Sequence, residues 1–180
     1  MTAFDTAWAK TGLAEGGYSN NAEDTGGETN HGITINVARA HGYLGAMKDL
    51  PLATATAIAK AQYWDVLGLD DVAVVSQAVA AELFDTGFNA GSSVAALFFQ
   101  KALNLFNREG KDYAQVTEDG HAGKVTAYAF AQYMAKRGSP GETVMLRCLN
   151  SQQGAFLMDI GRKRAPDEEF EFGWFLNRVA

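Results

Sequence analysis

Glu15, Asp24 and Thr29 bring two carboxylic acids and a hydroxyl into one short stretch of the chain, residues 15–34. It begins Glu15-Gly16-Gly17-Tyr18-Ser19-Asn20, passes through Asp24-Thr25-Gly26-Gly27-Glu28-Thr29 and ends at His31-Gly32-Ile33-Thr34, holding five of the nineteen glycines. Small polar residues make a poor core, but they let a backbone turn tightly while presenting functional groups. Two carboxylates in unlike surroundings suit cleavage of a glycosidic bond. One stays protonated to give its proton to the leaving oxygen, and the other stays ionised to activate water or steady an oxocarbenium ion. Glu15 fits the first role: it lies one heptad after Trp8, so on a continuous helix its side chain points within about 20° of the Trp direction, into the core. Asp24, in a loop rich in backbone N–H groups and Asn side chains, fits the second. Such a pair is common in sequences and carries little alone. A partly exposed Glu at a helix end stopped by Gly16-Gly17 is the plain alternative.

Other chemistries find no footing. There is no G-x-S-x-G elbow, H-E-x-x-H, P-loop or G-x-G-x-x-G. The lone Cys148 excludes an internal disulfide and a Cys-based zinc site. His31, His41 and His121 lack ligand spacing, so no metal or cofactor is expected. The net charge of −6 argues against nucleic acid as the main partner, and any attraction to an anionic polymer must come from a local basic patch. The start, Met1-Thr2-Ala3-Phe4-Asp5, does not read as a signal peptide, and no apolar run is long enough to insert in a membrane. The chain is expected to be made in the cytoplasm and to be monomeric.

The elements that must position these residues are mostly helices, as an alanine-rich, proline-poor composition implies. Periodicity and breakers predict helices over 2–15, 36–41, 54–67, 72–88, 92–106, 124–136 and 141–160. The 54–67 helix closes on Tyr63-Trp64 and is broken by Gly68 and Asp70-Asp71. The 72–88 helix reads as apolar on all sides and therefore central. Between the first two helices, a short hairpin is expected around Thr25-Gly26-Gly27, with strand character at Ile33-Thr34-Ile35. Residues 107–120 read as a polar connection. On the last long helix, Gln152 sits mid-stripe among Met145, Cys148, Leu149 and Phe156, where its amide must bridge buried backbone groups or face a cleft; bridging is preferred. Cys148 reads as a small core residue. The aromatic tail (Phe170, Phe172, Trp174, Phe175) is expected to pack back on the core. No repeat or linker divides the chain, so 1–180 reads as one domain, with a catalytic lobe over 1–91 and a helical lobe over 92–180.

The stretch Glu15-Gly16-Gly17-Tyr18, followed by Asp24-x-Gly26-Gly27-x-Thr29-x-x-Gly32-Ile33-Thr34, resembles the signature of the glycoside hydrolase family 108 muramidases, many of them phage or prophage endolysins. Tyr63-Trp64, Phe84-Asp85-Thr86-Gly87-Phe88-Asn89-Ala90-Gly91, Asp119-Gly120-His121-Ala122-Gly123-Lys124-Val125-Thr126 and the C-terminal Gly173-Trp174 and Asn177-Arg178 are similar to further segments of that family and of its associated peptidoglycan-binding region. The likeness spans nearly the whole chain. Ala22 stands where a Pro is frequent, and Phe88 where the family has Val, a change that bears on the loop or the cleft wall. The resemblance implies a mainly α, lysozyme-like α+β fold with a small hairpin or loop after the first helix. It implies hydrolysis of the β-1,4 bond after N-acetylmuramic acid in peptidoglycan glycan strands, with Glu15 as catalytic acid and Asp24 and Thr29 positioning the attacking water. It also implies an endolysin that reaches the wall after release from the cytoplasm.

Three rivals remain at this level. A lytic transglycosylase would use Glu15 alone and leave an anhydro sugar. A non-catalytic wall-binding or secretion-accessory protein would not need Glu15, and a chitinase would differ only in substrate. Among flanking residues, Tyr18, Asn20, His31, Asn89 and Tyr63 are candidate substrate contacts. Each has a bland counterpart: Asn89 as the cap of the helix at Ser92, Tyr63 as buried packing and His31 as a loop hydrogen-bonding group.

Overall fold

The computed structural model describes residues 1–12, 17–20 and 27–163. Helix α1 (Ala3–Thr11) starts with a reciprocal cap, in which the Thr2 hydroxyl accepts from the Asp5 N–H and the Asp5 carboxylate accepts from the Thr2 N–H. It buries Phe4, Ala7, Trp8 and Thr11 and is capped at Gly12. The predicted continuation to residue 15, and with it the heptad from Trp8 to Glu15, falls outside the described residues.

Strands β1 (Thr29–Asn30) and β2 (Ile33–Thr34) form a two-residue hairpin with Thr29 opposite Thr34. Its turn is His31-Gly32, both at positive φ, as a tight hairpin turn requires. Of the hairpin expected around Thr25-Gly26-Gly27, only Gly27 is described, and the pairing seen lies further along at 29–34. Thr34 ends β2 and caps α2 (Ile35–Ala40) through its hydroxyl.

After a 3-10 turn at Met47–Asp49, α3 (Leu52–Ala59) runs into a π-helical segment, Lys60–Asp65, which widens the helix so that both Tyr63 and Trp64 are buried. Gly68 then turns in the left-handed region and α4 (Leu69–Val75) begins. Asp70 and Asp71 do not break a helix, contrary to expectation; they occupy the first turn of α4, where negative charge suits the helix dipole. Asp70 also accepts from the Trp64 indole at 2.8 Å.

The single apolar helix expected over 72–88 is two helices. Ser76, extended at φ −153° and ψ 114°, separates α4 from α5 (Gln77–Ala90). Its hydroxyl accepts from the Val79 N–H and donates to Glu142 at 2.6 Å, so one side chain both caps α5 and ties it to α8. Nor is the run apolar all round: Val74 is 86 % exposed, and α5 carries Glu82 and Asp85 on one face. Its centrality does hold. Val79, Ala80, Leu83, Phe84 and Gly87 are buried, and α5 packs against α1, α4, α6 (Ser92–Phe106) and α8 (Ser139–Lys163).

Helix α7 (Lys124–Arg137) closes the C-terminal half, with Phe130 edge-on to Phe99 and Tyr133 stacked on Phe106. Gln152 donates to the Phe98 carbonyl at 3.0 Å, joining α8 to α6 by the backbone bridging preferred from the sequence. Cys148 beside it packs on the core, and burial raises its thiol pKa. The aromatic tail lies outside the described residues. Mostly helical with one small sheet, the fold agrees with the mainly α, lysozyme-like α+β class. Each fully buried ring in it, Trp64, Phe84 and Phe130 among them, contributes about 2–3 kcal/mol of burial.

Candidate active site

The carboxylates that open the chemical argument, Glu15 and Asp24, lie outside the described residues. The chain around them is fixed on both sides. Upstream, α1 ends with the Thr11 hydroxyl donating to Asp85 Oδ1 at 2.9 Å, while Asp85 Oδ2 accepts from Gln153 at 3.4 Å. The last turn before Glu15 is thereby tied through α5 to α8. Thr11 is 8 % exposed and Gln153 2 %, so these bonds form where water competes little.

Downstream, Ser19 and Thr29 exchange both backbone hydrogen bonds, at 2.8 and 2.9 Å. This bridge adds a third strand-like row to the hairpin and brings Tyr18 and Asn20 alongside Glu28 and Thr29. Tyr18 is 46 % exposed, and its hydroxyl donates to Glu28 Oε2 at 3.2 Å. Desolvation, and then the Glu28 carboxylate, raise the Tyr18 pKa, while Asn20 acts in the opposite direction. The phenol thus stays a neutral hydroxyl that can donate and accept. Thr29 is half-buried, and among the described residues its hydroxyl makes a long contact, 3.5 Å, with the Gly27 carbonyl. At that distance the bond to Gly27 is weak. Asn30, the next residue, is 5 % exposed and anchors the hairpin by donating to the Met47 and Lys48 carbonyls at 2.7 and 3.3 Å.

The hairpin rests on an aromatic wall. A Cβ at Gly32 would lie 2.5 Å from the Phe88 ring, and its φ of +71° is itself a glycine conformation, so this residue type lets the turn sit on Phe88. Phe88 in turn stands edge-on to Trp8 (5.6 Å) and Tyr63 (5.1 Å) and tilted to Phe84 (5.9 Å). Phe88, which stands where the resembling family has Val, is therefore one contact between hairpin and helices.

The structure groups the sequence candidates unevenly. Tyr18, Asn20, Thr29 and His31 lie together on the hairpin side, with His31 half-buried at the turn. Tyr63 is 8 % exposed behind Phe88, and burial raises its pKa. Asn89 donates to the Asp85 carbonyl of its own helix at 2.9 Å, and α6 has no side-chain cap. Sequence reasoning passed over Thr11, Asp85, Gln153, Asn30 and Glu28. For Asp85 and Glu28 the signal existed, since both stand inside the segments quoted above, but no spacing marks a carboxylate that will receive hydrogen bonds from two other helices.

A second acid stands beside Asp85. Glu82 is half-buried and lines a cavity of about 400 Å³ between α1, α5 and α8, together with Lys10, Arg147 and Asn150. Burial and then the Asp85 charge push its pKa up to about 7, against an opposing pull from Lys10. Its Oε1 has no hydrogen-bond partner. Glu82 and Asp85 thus share one half-buried face of α5, where Asp85 accepts the hydrogen bonds from Thr11 and Gln153.

Residues 8–91 match the family model described as glycosyl hydrolase 108, and residues 94–179 match one described as a predicted peptidoglycan domain. The boundary falls at Gly91, where α5 gives way to α6. A search of the curated proteins found no match. Among solved structures, Brucella abortus SagA is similar in fold, with a TM-score of 0.70 and 24 % identity over 95 % of this chain and 86 % of that one.

Proposed function

We propose, from the premise that the chain belongs to glycosyl hydrolase family 108 and is a glycoside hydrolase acting on peptidoglycan, that it is an N-acetylmuramidase. It cleaves the β-1,4 bond between N-acetylmuramic acid and N-acetylglucosamine. The observation that carries this reading is the joining of a glycosyl hydrolase match and a peptidoglycan-domain match on one chain with little between them.

Glu15 gives its proton to the glycosidic oxygen as the anomeric C–O bond breaks, and water adds to the anomeric carbon. Asp24 accepts the water proton and Thr29 Oγ1 orients the water. Three features support this division. Thr29 sits on a strand pinned from both sides, and among the described residues its hydroxyl makes one long bond, to Gly27. The helix that leads to Glu15 is fastened through Thr11 and Asp85. Tyr18, Asn20 and His31 offer hydroxyl, amide and imidazole groups beside Thr29 for the sugar. Tyr63 and Asn89 serve the site through Phe88 and α5, as wall and helix end.

The product decides between hydrolysis and its nearest rival. Mass spectrometry of muropeptides released from purified peptidoglycan should show reducing N-acetylmuramic acid ends; anhydro ends would mean a transglycosylase. Asp24→Asn should lower turnover by ~100-fold or more, as expected for loss of a general base. Inversion is the expected stereochemistry, on the analogy with other phage lysozymes, and it would go with carboxyl groups about 6.5–9.5 Å apart. Polarimetry or NMR of the first-formed anomer tests that. An endolysin role, with synthesis in the host cytoplasm and action on the wall after release, belongs to the same proposal and draws on the likeness to phage members of the family. Expressed alone it should leave cells intact, and with a holin it should lyse them; lysis without the holin would contradict this route.

A further inference from the structure

The C-terminal half contains a second cavity, of about 500 Å³, where the ends of α6 and α7 meet the start of α8. That volume lies within the usual range for a small-ligand site. Its wall is apolar, formed by Phe106, Tyr133, Pro140 and Val144. Tyr133 is 1 % exposed, and its hydroxyl is already spent on the Gly141 carbonyl at 2.8 Å, so it offers ring rather than hydroxyl. Val144 is 41 % exposed and open to a ligand.

Lys136 and Arg137 complete the lining. Arg137 donates through Nη2 to the Phe106 carbonyl at 3.2 Å and pairs with Asp112 at 3.3 Å, which sets its guanidinium in place. Asp112, whose side chain is 4 % exposed, is also gripped by Arg108 at 2.9 Å, so its charge is spent inside the protein. Lys136 makes no ion pair among the described residues. Residues 108–112 and 136–137 together carry Arg108, Lys111, Lys136 and Arg137 against Glu109 and Asp112. This surface is locally basic on a chain of net charge −6. Cations in the last turn of α7 also suit that helix dipole, which accounts for their sign but not for an apolar cavity beside them.

We infer that this cavity is a subsite for the carboxylate-bearing peptide branch of peptidoglycan, separate from the hydrolytic site. Peptidoglycan carries short peptides with small apolar side chains and free carboxylates beside its uncharged sugars. The Phe106–Pro140–Val144 wall suits the methyl groups, and Lys136 with Arg137 suits the carboxylates. The inference rests on the peptidoglycan reading and deepens it by naming the part of the polymer that the C-terminal half holds.

The test uses the full chain and two probes, a disaccharide–tetrapeptide muropeptide and the same molecule with its carboxylates amidated, titrated by calorimetry. Hydrolysis of purified sacculi is measured in parallel. Wild type should bind the free acid at least ~3-fold more tightly than the amide, the scale of one or two exposed charge contacts. That preference should shrink as salt is raised. Lys136→Glu should abolish or reverse it with the melting temperature unchanged. Equal binding of both probes by a wild-type enzyme that cuts sacculi, or a preference untouched by Lys136→Glu, would overturn this inference alone. A wild type that neither cuts sacculi nor binds the muropeptide would overturn the peptidoglycan reading and this inference with it.

Discussion

Two irregular stretches of the chain are held in opposite ways. The described part of the glycine-rich stretch, 17–20 and 27–34, is fixed largely by backbone pairing, by the buried Ile33 and Asn30 and by an aromatic contact. Ser19 pairs with Thr29, Thr29 with Thr34, and Gly32 rests on Phe88. Of its polar side chains, Asn30 bonds the Met47 and Lys48 carbonyls and Thr34 caps α2, while Tyr18 and Thr29 bond within the stretch. The stretch between α6 and α7 does the reverse. Gln100 and Asn104, one turn apart on α6, fasten it through their side-chain amides. Gln100 accepts from the Gly120 N–H and donates to Asp119 and the His121 carbonyl, while Asn104 accepts from the Val116 N–H and donates to its carbonyl and to Glu118. Tyr113 adds a bond to the Leu103 carbonyl at 2.6 Å. The first stretch is anchored largely by its own backbone, the second by side chains of the neighbouring helix.

The largest effect on stability should come from the aromatic wall. Phe88→Ala removes a ring that touches Trp8, Tyr63, Phe84 and the Gly32 turn, and should cost about 3–5 kcal/mol. Hydrogen exchange should show lost protection in 29–34 while 113–121 stays protected. Equal loss in both stretches would mean that they are not anchored independently.

Glu82→Gln should produce an intermediate effect, and one that depends on pH. The folded-state pKa, about 7, is above the ordinary 4.5, so the protonated carboxyl supports the fold at low pH. That support is lost as pH rises through about 7. Glu82→Gln should therefore stabilise the protein at pH 8 by on the order of 1–3 kcal/mol and change little at pH 4. Urea denaturation at both pH values checks this; a variant equally affected at pH 4 and pH 8 would remove Glu82 from the account.

An effect of similar size is expected at Gln100, which is 1 % exposed. Gln100→Ala leaves the Gly120 N–H without its acceptor and should cost about 1–3 kcal/mol. Protection should fall in 119–121 and remain in 29–34, the mirror image of the Phe88 result.

Much of this arrangement was legible in the sequence, for identifiable reasons. Periodicity marked the long helices, because one face of each must meet the core. The run from Glu15 to Thr34 marked the candidate site, because that concentration of glycines, acids and amides suits little else. The break at Ser76 was not legible: no Gly or Pro marks it, and a lone serine between apolar runs signals a cap only once its partners, the Val79 N–H and Glu142, are in place. The amide fastening by Gln100 and Asn104 was hidden for a similar reason, since two amides four apart on a helix read as ordinary surface. Glu82 was masked by the apolar run around it, and its raised pKa depends on Asp85 and on burial by two other helices.

The central claim is that Glu15 supplies the proton that breaks the glycan. Turnover of purified peptidoglycan by Glu15→Gln beside wild type, with the melting temperature of both recorded, tests it most directly. A fall of ~100-fold or more in a protein that melts as the wild type does is the predicted result. Turnover undiminished in the folded variant would contradict it.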